Sequence, residues 1–157
     1  MIITTWNIRG INQPHKQSYI RKFAEEYSID VLGILETKVK ARNQDKIQKS
    51  VLPKCEFWNN NNSTEDEGRI WIAWNPVTTT VQLIKYSGQY VHVRIEKKID
   101  KKVSFEATFV YALYEIVDRS LWQHLRLFAH TTGGQPWVCL RDFNVSLDPN
   151  EIDEVGV

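Results

Sequence analysis

The 157-residue chain lacks most of the features that mark special classes of protein. It has two cysteines, seven glycines and five prolines, too little Gly and Pro for a collagen-like or disordered chain. Cys55 and Cys139 are too few for a disulfide framework and have no C-x-x-C spacing, so two reduced, half-buried thiols in an intracellular protein are expected, with a single bridge as the alternative. Net charge is almost absent: 20 Lys and Arg against 19 Asp and Glu leave +1, so any site for a polyanion must be local. No run approaches the roughly 18 apolar residues of a membrane span. The first six residues read as a strand, without the basic start and apolar run of a signal peptide, so neither a membrane nor a secretory route is expected. His15, His92, His124 and His130 offer no pair at metal-ligand spacing, which points to structural or surface roles.

What the chain does have is 42% hydrophobic residues and six each of Trp, Tyr and Phe, enough large side chains for one ordinary core. Its length matches a single domain at roughly 150 residues per domain. Residues 2–6 alternate as a β-strand and stop at Asn7-Ile8-Arg9-Gly10. From Lys16 to Ser28, Tyr19, Ile20, Phe23, Ala24 and Tyr27 recur at helical spacing. The apolar run Ile29 to Leu35 reads as a strand covered on both faces and ends at Glu36, which suggests a βαβ unit. Residues 38–54 are the most basic stretch, with Lys38, Lys40, Arg42, Lys46, Lys49 and Lys54 against Asp45; they form either a solvated helix face or a phosphate-contacting one.

The tract from Asn59 to Gly68 reads as a surface loop. Four runs of period two follow, at 69–75, 79–86, 89–96 and 103–111, and together predict an antiparallel meander. Val117, Leu121, Leu125 and Phe128 place a second amphipathic helix over 116–131, ended by Gly133-Gly134. A buried strand, 136–140, leads into Arg141-Asp142-Phe143-Asn144.

Three strands thus end in oxygen-bearing side chains: Asn7, Glu36, and Asp142 with Asn144. The carboxyl ends of strands in α/β sheets line the ligand crevice, and two carboxylates with amides suit a hard cation such as Mg²⁺. Singly, each is also an ordinary turn residue or helix cap, and Tyr111 is also an ordinary aromatic strand residue.

Taken in order, Trp6-Asn7-Ile8-Arg9-Gly10, Leu35-Glu36-Thr37-Lys38, Val110-Tyr111-Ala112 and Asp142-Phe143-Asn144 resemble the endonuclease/exonuclease/phosphatase superfamily, the DNase I-like proteins. The run from Trp6 to Lys16 and the Asp118-Arg119-Ser120-Leu121-Trp122 segment look most like the endonuclease domain of plant LINE-type non-LTR retrotransposons. The resemblance implies an α/β fold, a four-layered α/β sandwich of mixed sheets with outer helices. It further implies phosphodiester hydrolysis with Mg²⁺ or Mn²⁺, on DNA. In that reading Glu36 is the principal metal ligand with Asn7 beside it, and Tyr111 contacts the scissile phosphate. Asp142 orients or deprotonates the attacking water, and Asn144 hydrogen-bonds the phosphate and holds Asp142. Trp6 and Phe143 are expected to pack the loops.

Two features depart from the family pattern. Arg141 stands where the family has Gly, and no Asp-His pair occurs anywhere in the chain. The chain is therefore expected to be one C-terminally truncated domain, 1–157, with weak or no activity. Incomplete sheets predict self-association or a partner that covers the open edge. The alternative function is a non-catalytic module of the same descent that binds nucleic acid or protein through the basic 38–54 stretch and the incomplete sheet edge. A nuclear location is compatible with either.

Overall fold

The computed structural model describes residues 1–61, 67–112 and 119–142. Strand β1 (Ile3–Asn7) is followed by helix α1 (Pro14–Glu26), strand β2 (Val31–Lys40), a 3-10 turn (Ala41–Asn43) and helix α2 (Gln44–Val51). Strands β3 (Glu56–Asn59), β4 (Glu67–Trp74), β5 (Thr79–Ser87), β6 (Tyr90–Lys97) and β7 (Ser104–Tyr111) come next, then helix α3 (Arg119–Thr131) and strand β8 (Trp137–Asp142).

The expected βαβ unit forms: β1 and β2 pair in parallel, with Ile3 opposite Val31 and Asn7 opposite Leu35. Helix α1 begins at a proline whose fixed φ suits the first helical position and whose missing N–H costs nothing there. It buries Ile20, and Phe23 meets Trp6 edge-on at 4.8 Å, so Trp6 is a packing residue as expected. Of the helix expected over 116–131, Arg119–Thr131 forms α3 and 116–118 lie outside the described residues; the chain leaves α3 through Gly133 and Gly134, both at positive φ (+59° and +84°).

The single meander is corrected. Among the described residues, one sheet has the order β1-β2-β4-β3 and the other β5-β6-β7-β8, so β4 belongs to the first sheet and only β5, β6 and β7 meander. The reason lies in β4 itself, which is apolar on both faces. Ile70 and Ile72 pack between the sheets, while Trp71 and Ala73 pack under the helices. Such a strand needs cover on both sides, and it finds it between β2 and β3. The predicted loop at Asn59 is corrected in part as well. Asn59 ends strand β3, and Asn60 is buried: its amide donates to the carbonyls of Ser87 and Gly88 (both 3.1 Å) and accepts from the Ile70 N–H (2.9 Å), stapling one sheet to the other. Residues 62–66 of that tract lie outside the described residues.

The layers are therefore α1 and α2, first sheet, second sheet, α3. Between the sheets lie Val31, Leu35, Ile70, Ile72, Val91, Val93, Ile95 and Phe109. Gly33 faces this seam because nothing larger fits: a Cβ there would stand 2.4 Å from the Phe109 ring. Among the described residues no helix is long and apolar enough to cross a membrane. Cys55 and Cys139 are half-buried free thiols, and burial raises the pKa of each.

Candidate active site

Each sheet contains one parallel pair, β1–β2 and β7–β8, and the two pairs end together at one mouth of the sandwich. Side-chain alternation then decides what reaches that mouth. Ile3, Val138 and Leu140 pack between the sheets, so Asn7 and Asp142, at even spacing from them, point inward. Tyr111 is itself part of the inter-sheet cluster and stands in register with Asp142. The Asn7 amide nitrogen donates to Asp142 Oδ2 at 2.7 Å, across 135 residues of chain and from one sheet to the other.

Glu36 reaches the same place by breaking the alternation. Leu35 packs between the sheets, so a regular strand would send Glu36 toward the helices. Instead β2 bulges: it advances from Leu35 to Val39 while β4 advances only from Ile70 to Gly68. Val39 consequently packs on the helix side. Glu36 and Lys38 both take left-handed backbone, at φ +55° and +52°, a conformation costing roughly 1–2 kcal/mol for residues with a Cβ. The β1–α1 loop holds the bulge through N–H groups of Ile8, Gly10 and Ile11 that donate to the carbonyls of Leu35, Glu36 and Thr37 at 3.2, 2.7 and 3.0 Å.

Glu36 is consequently the focus of the cluster. Desolvation pushes its carboxyl pKa up, but hydrogen bonds from Lys38 and Asn7, the Lys38 charge and a hydrogen bond from Tyr111 outweigh it, and the pKa ends below the ordinary value. The Lys38 ammonium lies 2.7 Å from Glu36 Oε1. Asn7 is the bridge: its nitrogen serves Glu36 and Asp142, and its oxygen accepts the Arg9 N–H at 3.0 Å. For Asn7 to present its oxygen to a cation, the amide has to turn over.

Four of the five residues singled out in the sequence, Asn7, Glu36, Tyr111 and Asp142, thus converge; Asn144, like Phe143, lies outside the described residues. Arg141, in place of Gly, does not crowd the site: it is exposed and in register with Val110, which packs under α3, on the face opposite Asp142. Lys38 is the residue the sequence reading undervalued. The signal was present, an ammonium two residues beyond a strand-end carboxylate. Lys16 caps the β1–α1 loop by donating to the Ile8 and Arg9 carbonyls (3.1 and 2.9 Å).

The donor set fits a hard divalent ion. It consists of oxygen ligands without thiol or imidazole, and among the described residues no three of His, Cys, Asp and Glu gather into a closed cage. Mg²⁺ characteristically binds one or two carboxylates and fills its remaining positions with water and phosphate oxygens.

The fold is the DNase I-like fold of endonuclease/exonuclease/phosphatase proteins: α/β, with two mixed sheets and outer helices. Solved structures similar to this chain include a family member from Bacteroides thetaiotaomicron (11% identity, TM-score 0.67, 91% of this chain and 63% of that one). The endonuclease domain of TRAS1, a telomere-specific non-LTR retrotransposon, is similar too (11%, 0.67, 87% and 57%). So is the human Nocturnin catalytic domain (13%, 0.62, 92% and 64%). The chain spans about three-fifths of the length of these structures. No family model matches the sequence, and no curated protein does.

Proposed function

We propose that this chain carries a centre for divalent-metal-dependent phosphodiester hydrolysis, of endonuclease type, acting on DNA. The observation that carries the reading is the meeting of Asn7, Glu36, Tyr111 and Asp142 at the shared mouth of two sheets, three from the ends of β1, β7 and β8 and Glu36 from the bulge in β2. Glu36, with Asn7 beside it, would hold Mg²⁺ or Mn²⁺. Such an ion, when bound, offsets the charge that builds on phosphorus-bound oxygens. The rest falls to the chain's own groups. Asp142, held by the Asn7 amide at 2.7 Å until that amide turns over to the ion, receives the proton of a water aligned on the phosphodiester. Tyr111 turns its hydroxyl from Glu36 to a phosphate oxygen, a donor where negative charge develops. Asn144 adds a second donor to that phosphate.

Descent from a LINE-type retrotransposon endonuclease rests on the run from Trp6 to Lys16, and the fold match to the TRAS1 domain agrees with it. Because the 157 residues contain no Asp-His pair, hydrolysis by this chain alone is expected to be weak. Nicking of supercoiled plasmid with Mg²⁺ or Mn²⁺ tests this: slow nicking, lost on chelation and in Asp142→Ala, is the expected result. Nicking that Asp142→Ala retains would remove the reading.

The exposed row Lys40, Arg42, Lys46 and Lys49 favours a second reading, a module that binds DNA without cutting it. The row leads away from Glu36 along the 3-10 turn and α2, and beside it a groove of about 620 Å³ runs between α1 and α2, lined by Asn12, Gln17, Asn43 and Lys46. In that case duplex binding falls steeply with salt and survives Glu36→Ala, with no nicking at any metal concentration.

A further inference from the structure

We infer that Lys38 is a built-in counter-cation that competes with the divalent ion for Glu36; this rests on the proposed metal site. Three contacts position it. Its carbonyl accepts the Asn12 side-chain amide at 2.7 Å, its stem lies along Gly10, where a Cβ would be 3.8 Å from Lys38 Cδ, and its ammonium closes on Glu36 Oε1 at 2.7 Å. The left-handed backbone at both Glu36 and Lys38 belongs to the same bulge. An ammonium at this distance occupies the acceptor site on Oε1 that a metal approaching that oxygen would use, leaving the ion the remaining acceptor sites of the carboxylate. Two cations sharing that oxygen would repel one another at short range.

Lys38 has somewhere to go. Its side chain is 55% exposed, whereas that of Glu36 is 13% exposed, so the lysine can swing out while the carboxylate stays. In the metal-free protein Lys38 therefore keeps the Glu36 charge compensated and the strained bulge closed. Binding of the ion displaces the ammonium from Oε1 toward solvent, beside the basic row that runs from Lys40 to Lys49. Metal affinity is lowered by the ion pair that has to be broken.

Calorimetric titration of the full chain with Mn²⁺, in wild type, Lys38→Gln, Lys38→Arg and Glu36→Gln, tests this. Lys38→Gln keeps most of the stem and removes the charge; it is expected to bind Mn²⁺ about fivefold more tightly, the upper end for an ion pair on a protein surface. Lys38→Arg should stay within twofold of wild type. Unchanged or weaker binding by Lys38→Gln, with Glu36→Gln still abolishing it, overturns the competition alone. Equal binding by wild type and Glu36→Gln overturns the metal site and the competition with it. A second measurement needs no variant: saturating Mg²⁺ should raise the acylation rate of Lys38 relative to Lys49 in peptide mass maps, and an unchanged ratio counts against displacement.

Discussion

Two carboxylate-centred clusters in this molecule are built in opposite ways. Glu106 lies on the regular strand β7, buried on the face that α3 covers. It accepts from Arg94 Nη2 at 2.9 Å and from His92 Nε2 at 3.2 Å. The His92 ring stacks on Phe128 with centroids 3.9 Å apart, and its Nδ1 lies 2.8 Å from Thr108 Oγ1, which accepts the Trp137 indole N–H at 2.8 Å. An indole N–H only donates, so the Thr108 hydrogen is free to go to His92 Nδ1, and Nε2 carries the imidazole proton. Desolvation dominates at His92 and, with Arg94, holds its pKa below the usual value against the pull of Glu106. Glu106 and His92 are buried and paired on regular strands, with the half-exposed Arg94 guanidinium at the edge of the cluster.

Glu36 differs in its backbone and in its place in the fold. It sits at the mouth of the sandwich on left-handed backbone, and its partners include an exposed, replaceable ammonium. A polar cluster that satisfies itself on regular strands specifies packing. One held on costly backbone beside an opening accords with the proposed site, where a ligand would arrive later.

The sharpest way to break this contrast is to remove each carboxylate in turn. Glu36→Ala should lower the nicking rate by at least ~100-fold, the scale for losing a group that stabilises transition-state charge, with little change in urea midpoint. Glu106→Ala should do the reverse. Leaving the buried His92 Nε2 proton without its acceptor costs about 1–3 kcal/mol in urea unfolding, while activity per folded molecule stays. Equal activity losses in both variants would erase the distinction.

Next in size is the seam between the sheets. Gly33→Ala should destabilise by ~1–3 kcal/mol through overpacking against Phe109, and because both sheets meet at the site it should also loosen the Asn7–Asp142 contact. An unchanged unfolding midpoint would mean the sheets can separate freely there.

The smallest effects separate the clusters by pH. Both groups have lowered pKa values in the folded protein, so each contributes stability above its unfolded pKa and loses it as pH falls toward its folded one. The windows differ. The His92 contribution starts to fall near the ordinary imidazole value of about 6.5, and that of Glu36 only near the carboxylate value of about 4.3. Melting temperature followed from pH 8 to pH 3 should decline in two stages. His92→Asn should flatten the upper stage, and Glu36→Gln the lower one by less, since Glu36 is partly open to solvent.

Much of the site was legible from residue order alone, because apolar runs stop at strand ends, Asn7 after Trp6 and Asp142 after Leu140; the stop at Glu36 after Leu35 instead marks a bulge, since β2 runs on to Lys40. The bulge was not, since neither Glu36 nor Lys38 is a residue that announces positive φ. The sheet that β4 joins was equally hidden. A run of period two identifies a strand but not its neighbours, and burial on the second face becomes visible only once the helices are in place.

The amino-acid sequence by itself determined the α/β class, the helices and most strands, and the kinds of group at each strand end, because periodicity and breaker residues act locally. Tertiary structure alone decided that Asn7 and Asp142, 135 residues apart, share a hydrogen bond, that Glu36 turns inward against the alternation, and that Lys38 sits on it. Those facts depend on sheet order, register and a bulge set by the β1–α1 loop, which are long-range choices that no local pattern encodes.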